Sequence, residues 1–232
     1  ADAADNGRGA AVAQVHRAWV LQRLGALEPT RLAALAGHPE PISRVHAMRI
    51  LGEKDVWSAE DRELAGKGLG DADALVRRCA ADALGRHPSL EQIPALIALA
   101  RGCDPADTHL RHVARMALRD QLLNSTAWSQ LPADPADQAV IRDVALGVAN
   151  RDAARYLLTR LEAAKGELED HDRLIRHIAR QGDASSDDRL LAVLEARQGA
   201  RLGWKLAALK ALGEGMRQRG QECFDERSGF AG

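Results

Sequence analysis

Two histidines one helical turn apart, His109 and His112, are the residues whose types and spacing come nearest to a metal site. Side chains at i and i+3 share a helix face, and zinc takes three or four such ligands. Only Cys103, Asp104 and Asp107 lie close by in sequence, with no CxxC or HExxH order among them. The pair therefore reads as a solvated polar face beside a helix N-terminus. The acidic run Glu167-Leu-Glu169-Asp170-His171-Asp172 could attract calcium, but it lacks the alternating oxygen ligands and central glycine of a calcium loop. Carboxylates at a helix start complement the helix dipole, and that is reason enough for them. Gly66-Lys-Gly-Leu-Gly70 has the glycines of a phosphate loop without its GxxxxGK[ST] order, and reads as a helix ending in glycine. No GxSxG or Cys–His pairing supplies an activated nucleophile. Cys79, Cys103 and Cys223 are an odd set with no ligand spacing, hence buried or incidental thiols. The expectation is a chain with no catalytic residue, no metal and no cofactor.

What positions these residues must be helical. Hydrophobic residues make up 46% of the chain and charged residues 28%, an ordinary globular balance, while aromatics are only 3%. A core built from Ala, Leu and Val suits closely packed helices and leaves little for sheets. A net charge of −1 lacks the cationic surplus that nonspecific nucleic-acid binding requires, so nucleic acid is not an expected partner. No apolar run is long enough to span a membrane.

One register recurs along the chain. Its clearest copy is Val76-Arg77-x-x-Ala80-x-x-Ala83-Leu84-Gly85. It returns at Trp204-Lys205 with Ala208 and Ala211-Leu212-Gly213, and at Leu110-Arg111 with Ala114 and Ala117-Leu118. Arg44 with Ala47 and Ile50-Leu51-Gly52 fits except for Ser43 in the leading slot. Weaker copies begin at Arg17, Arg142 and Arg176. The basic anchors Arg17, Arg44, Arg77, Arg111, Arg142, Arg176 and Lys205 follow one another at 27 to 34 residues, the length of a helix–turn–helix unit. Between them lie second amphipathic segments over 30–37, 59–69, 90–101, 152–165 and 187–197, separated by Pro-, Gly- and Asp-rich turns. The stretch 124–136 matches poorest, so a short or irregular helix is expected there.

The Asp73-x-x-Val76-Arg77-x-x-Ala80-x-x-Ala83-Leu84-Gly85 frame resembles the second helix of HEAT repeats. That resemblance covers residues 11–215 and implies an all-α, right-handed α-α superhelix of about seven helix pairs. It also implies a polar ladder between repeats, with Arg44, Arg77, Arg111, Arg142, Arg176 and Lys205 at the Arg position. Asp73, Asp107 and Asp172 match its Asp position, Glu40 stands in for one, and Arg201 departs from it. The expected organisation is a flexible segment over 1–10, the repeat domain over 11–219, and a tail or linker over 220–232. A narrower resemblance rests on Val15-His-Arg-Ala-Trp19, Leu35-x-x-His38-Pro-Glu-Pro41 and Arg44-Val-His46. These are similar to the HEAT section of large exported bacterial proteins that join a dehydrogenase-like propeller, HEAT repeats and a c-type cytochrome. It implies a spacer or docking segment and an exported or periplasmic location; the haem-attaching CxxCH of that family is absent from these 232 residues.

The expected function is a non-catalytic scaffold whose partner is another protein or an adjacent domain of the same polypeptide. The enzyme-class alternative is a HEAT-like DNA glycosylase for alkylated purines, which needs a basic concave face and aromatic–acid pairs. A bilin-lyase-like protein is a third reading, with no motif to distinguish it. Four tryptophans stand out in so aromatic-poor a chain. Trp204 occupies the apolar slot of the frame and reads as core, Trp57 precedes a capping Ser58, and Trp128, in the irregular stretch, is the expected exposed contact. His16 and His46, near the anchors, read as packing groups.

Overall fold

The computed structural model describes the backbone of residues 2–164, 170–197 and 201–220, with side chains from residue 9 onward within them. The α-helices are α1 (Asp2–Arg23), α2 (Pro29–Ala36), α3 (Pro41–Glu53), α4 (Ala59–Gly68), α5 (Ala74–Arg86), α6 (Ile93–Gly102) and α7 (Thr108–Leu122). They continue with α8 (Pro135–Ala145), α9 (Arg151–Ala163), α10 (His171–Gln181), α11 (Ala184–Ala196) and α12 (Leu202–Gln218). Among the described residues every regular element is a helix, the all-α repeat fold that the register predicts. The irregular stretch holds a 3-10 helix, Ser125–Gln130, in place of a full first helix. Helix α1 starts at Asp2, inside the segment that the register leaves outside the repeats. Residues 167–169 of the acidic run, Cys223 and most of the 220–232 tail lie outside the described residues.

Local chemistry sets the helix starts. Ser58 and Asp61 form a reciprocal capping box on α4: the Asp61 N–H donates to Ser58 Oγ and the Ser58 N–H to Asp61 Oδ2 at 2.9 Å. Asp73 caps α5 by accepting from the N–H groups of Leu75 and Val76, Asn150 caps α9 through Ala153, and Asp183 caps α11 through Ser186. Helices α2, α3 and α6 instead carry proline in their first turn, where a missing N–H costs nothing. That proline also explains why α6 starts at Ile93, after a single 3-10 turn at Leu90–Gln92.

The chain forms two compact units, residues 1–121 with 131–140, and residues 122–130 with 141–232. In the first, α2 pairs with α3 and α4 with α5, while α1, α3 and α5 stack side by side as a layer of second helices. Buried Leu35, Met48, Leu51, Leu84, Leu96 and Ile97 fill the space between the layers. In the second unit, α9 pairs with α10, α11 lies against α9, and α10 packs along α12. Leu157, Leu158, Leu161, Ile175, Ile178, Trp204 and Leu212 form the core of that unit.

Small residues set the distance between second helices. A Cβ placed on Gly52 of α3 would lie 3.5 Å from Ala83 Cα of α5, and one on Gly85 of α5 would lie 3.1 Å from Ala117 Cα of α7. Both are the closing glycine of the frame, and both meet the same alanine position of the next copy. Beside this contact Gln121 is buried, its Nε2 donating to the Leu84 carbonyl at 2.8 Å and its Oε1 accepting from the Ser89 N–H. One amide thus pairs the Ser89 N–H and adds a second bond to the Leu84 carbonyl, which also accepts from the His87 N–H. In the second unit, a Cβ on Gly215 would lie 2.5 Å from the Arg176 carbonyl oxygen and 2.6 Å from Ala179 Cβ.

These distances separate two substitutions of identical chemistry. Gly52→Ala meets ordinary contact distances and gains helix propensity, so stability should stay level or rise by up to about 1 kcal/mol. Gly215→Ala drives a methyl into backbone that no rotamer change can clear, and should cost about 2–3 kcal/mol. Urea unfolding of the two variants checks this; equal midpoints would refute the close-approach account.

Candidate interaction surface and inter-repeat ladder

Arg44 shows what the basic anchor does. Its Nη1 donates to the carbonyls of His38 and Pro39, both at 2.9 Å, in the turn before its own helix. Its Nε and Nη2 form a two-pronged pair with Asp71 Oδ2 and Oδ1 at 2.7 and 2.8 Å. One guanidinium therefore ties a turn closed and reaches into the next helix pair, using the planar fork that distinguishes Arg from Lys. Hydrogen bonding from Arg44 holds the Asp71 carboxyl below the usual carboxylate range, and the same bond raises the guanidinium.

The other anchors vary. Arg77 Nη1 donates to the carbonyls of Asp71 and Ala72 at 2.7 and 3.0 Å, the same turn-closing arrangement. Arg111 is exposed and Arg142 half-buried, and neither donates a hydrogen bond to a described residue. Arg176 Nε lies 2.8 Å from Glu214 Oε2 of α12, an ion pair whose N–H is not aligned for a hydrogen bond, and its Nη2 lies 3.8 Å from Asp172. Lys205 is half-buried in the first turn of α12. Asp73 and Asp107 spend their carboxylates on the N–H groups of their own helices, Asp107 accepting from Leu110 at 2.9 Å. The partner of Arg44 is therefore Asp71, two residues from the position that the frame marks. Nothing in a linear frame separates an aspartate that caps from one that bridges.

The tryptophans join helices about one repeat apart. Trp19 Nε1 donates to His46 Nδ1 at 2.9 Å, and the Arg23 guanidinium lies over the indole. Trp57 stacks on His87 with ring centroids 4.2 Å apart and donates to the Leu51 carbonyl. Trp204 stacks on His171 at 4.8 Å. Trp128 packs against Tyr156 at 5.4 Å and donates to the Leu122 carbonyl, so the structure half-buries the residue expected as an exposed contact. The cause is the 3-10 helix, which folds Trp128 back over the end of α7 and onto the core. His109 and His112 are both exposed on α7. Burial lowers the imidazoles of His46 and His87, with nearby arginines adding to the effect. It takes His177 of α10 down to about 4 despite a hydrogen bond to the Val148 carbonyl.

Three exposed leucines lie on α12. Leu202, Leu206 and Leu209 are 72%, 59% and 48% exposed and follow one another at i, i+4 and i+7 along one stripe. Counted from the basic anchor, Leu206 and Leu209 hold the positions of Val45 and Met48 on α3, which are each 2% exposed. Met48 is covered by α4, whose Gly68 lacks the Cβ that would meet its sulfur. The face that the following helix pair buries on α3 is thus open on α12.

A family model described as HEAT repeats matches residues 28–119. Residues 28–119 are therefore a run of HEAT repeats. The HEAT match covers α2 to α7 nearly whole, the part where the Arg44 and Arg77 turns and the Gly52 and Gly85 contacts recur. Among solved structures the chain is similar to an engineered protein from a structural genomics consortium, at 18% identity and a TM-score of 0.43, over 84% of this chain and 99% of that one. No curated protein matches it.

Two outcomes follow for the HEAT repeats. Arg44→Ala removes a part-buried charged fork and strands Asp71, and should cost about 2 kcal/mol, whereas Arg111→Ala should stay within about 0.5 kcal/mol. Equal losses by chemical denaturation would contradict the geometry. For His177, the folded pKa near 4 lies below the unfolded value of about 6.5, so the unfolded chain binds more protons between them. Stability should therefore be full above pH 6.5 and fall as pH drops towards 4. His177→Asn should flatten that decline in a series of melting temperatures; an unchanged slope would exclude His177 as a contributor.

Proposed function

We propose that the chain is a non-catalytic HEAT-repeat scaffold that makes protein–protein or interdomain contacts, and that the outer face of α12 is one of its contact surfaces. The observation that supports this is the leucine stripe at 202, 206 and 209, which repeats the register of a face that is buried on α3. An apolar stripe of this kind rewards association with a helical neighbour through burial of about 25 cal/mol per Å². Arg44 with Asp71 and Arg176 with Glu214 act in this reading as mortar between helix pairs, and Trp128 as part of the core rather than the contact. No observation favours the glycosylase alternative, since all four indoles already face an imidazole or phenol ring.

The finer assignment, to the HEAT segment of an exported propeller–HEAT–cytochrome protein, is supported by sequence resemblance at Val15–Trp19, Leu35–Pro41 and Arg44–His46. A CxxCH motif and propeller sequence in the same open reading frame would decide it.

A photo-cross-linking amino acid at Leu206, in cells that make the protein, should join α12 to one discrete protein or to one other region of the same polypeptide. The same group at exposed Arg49 should not. Leu209→Asp should leave the melting temperature of the isolated chain unchanged and abolish the adduct formed from position 206. Labelling equal at both sites would refute α12 as the contact face.

A further inference from the structure

Arg44 and Arg77 are held in the same way but finished differently. In each, Nη1 donates to two carbonyls five and six residues earlier, which fixes the guanidinium plane against its own turn. The outer edge of Arg44, Nε and Nη2, then takes the Asp71 carboxylate. The outer edge of Arg77 donates no hydrogen bond to, and forms no ion pair with, any described residue.

The next turn explains the difference. Asp71 belongs to Asp71-Ala72-Asp73, where its Oδ1 accepts from the N–H of Asp73 at 2.8 Å while the carboxylate faces Arg44. The following copy is one residue longer, Asp104-Pro105-Ala106-Asp107. Counted six back from Arg111, the position of Asp71 is filled by Pro105. Asp104 accepts from the Ala106 N–H at 2.9 Å and forms no ion pair with Arg77, while Asp107 caps α7 through Leu110. Arg77 instead borders an open groove of about 470 Å³ whose apolar lining includes Leu69, Ala95, Ala98, Leu99 and Leu110. Asp104, Asp107 and Cys103 also line it, and Arg77 and Arg111 are near enough to influence the Cys103 thiol.

We propose that Arg77 is the receptor for a carboxylate of a protein partner: an Asp or Glu side chain, flanked by apolar residues, that enters this groove and completes the rung which Asp71 completes for Arg44. The Arg44–Asp71 pair is the internal template for the contact. The Nη1 bonds fix the long side chain in advance, and its outer edge presents two parallel donors beside an apolar surface. Asn or Gln at the same place offers one acceptor and no charge, so the site discriminates for acid. The proposal rests on the scaffold reading for the nature of the ligand, but uses a surface separate from α12.

The probe is an acetylated, amidated pentapeptide, Ala-Leu-Glu-Leu-Ala, compared with its Gln counterpart on the full chain. The readout is the Arg77 Nε–H cross-peak in nitrogen-15 NMR spectra. The Glu peptide should move that cross-peak saturably and bind about tenfold or more tightly than the Gln peptide, as a charge-assisted pair implies. Affinity for the Glu peptide, read in every variant from the backbone amide cross-peaks of the groove residues Ala98 and Leu99, should survive Asp104→Asn, weaken in Arg77→Lys and vanish in Arg77→Met, with Arg77→Lys as the variant that keeps the charge should Arg77→Met unfold. Equal response to both peptides would overturn the proposal. So would a response that emerges only after Asp104→Asn, because Asp104 would then fill the fork internally. Cross-linking from Leu206 tests the scaffold reading and is not altered by Arg77 variants, so the two can fail independently.

Discussion

The close approach of neighbouring second helices is the constraint on which the first unit depends. Gly52 against Ala83 leaves ordinary contact distance for a methyl, and Gly85 against Ala117 leaves less than that. Helix backbones that come so near bring their C-terminal carbonyls and turn residues within reach of each other. The Gln121 amide can then bridge to Leu84 and Ser89, and the Arg44 fork can meet Asp71. Larger residues at the glycine positions would push the helices apart by ångströms and take the polar bridges out of range, since hydrogen bonds tolerate only tenths.

This spacing also decides what the polar groups can do. Where the turn keeps the length of Asp71-Ala72-Asp73, the Arg of one pair and the Asp of the next form a closed rung. One added residue before α7 leaves the next Arg with its carbonyl bonds and an open outer edge. The repeat is therefore a mechanical module with a polar joint, and joints can be spent on cohesion or left for a partner. The aromatic residues follow the same logic: each indole meets a His or Tyr ring about one repeat away, where its large apolar face bridges two helices and its N–H, in Trp19, Trp57 and Trp128, finds an acceptor.

The α12 stripe and the Arg77 groove differ in kind. The first is an apolar stripe, suited to a helix laid along it; the second is an open groove with a fixed guanidinium at its border, suited to an acidic side chain between apolar ones. Burial supplies most of the affinity at a surface of the first kind, while a fixed guanidinium supplies orientation and selectivity at one of the second. A scaffold can use both without any group that changes its covalent bonds.

Much of the fold was legible in the residues. A period near 30 with Arg, Ala and Gly at set offsets specifies paired helices, because each offset has a packing or capping consequence that survives in any such stack. The second segments over 59–69 and 187–197 and the irregular stretch after 124 could be placed in this way, within the few residues by which caps and prolines shift a helix start. The frame also marked Gly52 and Gly85 as special, though not what they touch. Only the tertiary structure decided which carboxylate each Arg meets, that Trp128 folds inward, and that Leu206 and Leu209 face outward where Val45 and Met48 do not. The physical reason is that pairing across helices depends on distances and on turn length to within a single residue. A sequence pattern states which residues share a face, and the neighbour across that face is set by the packing of the whole stack.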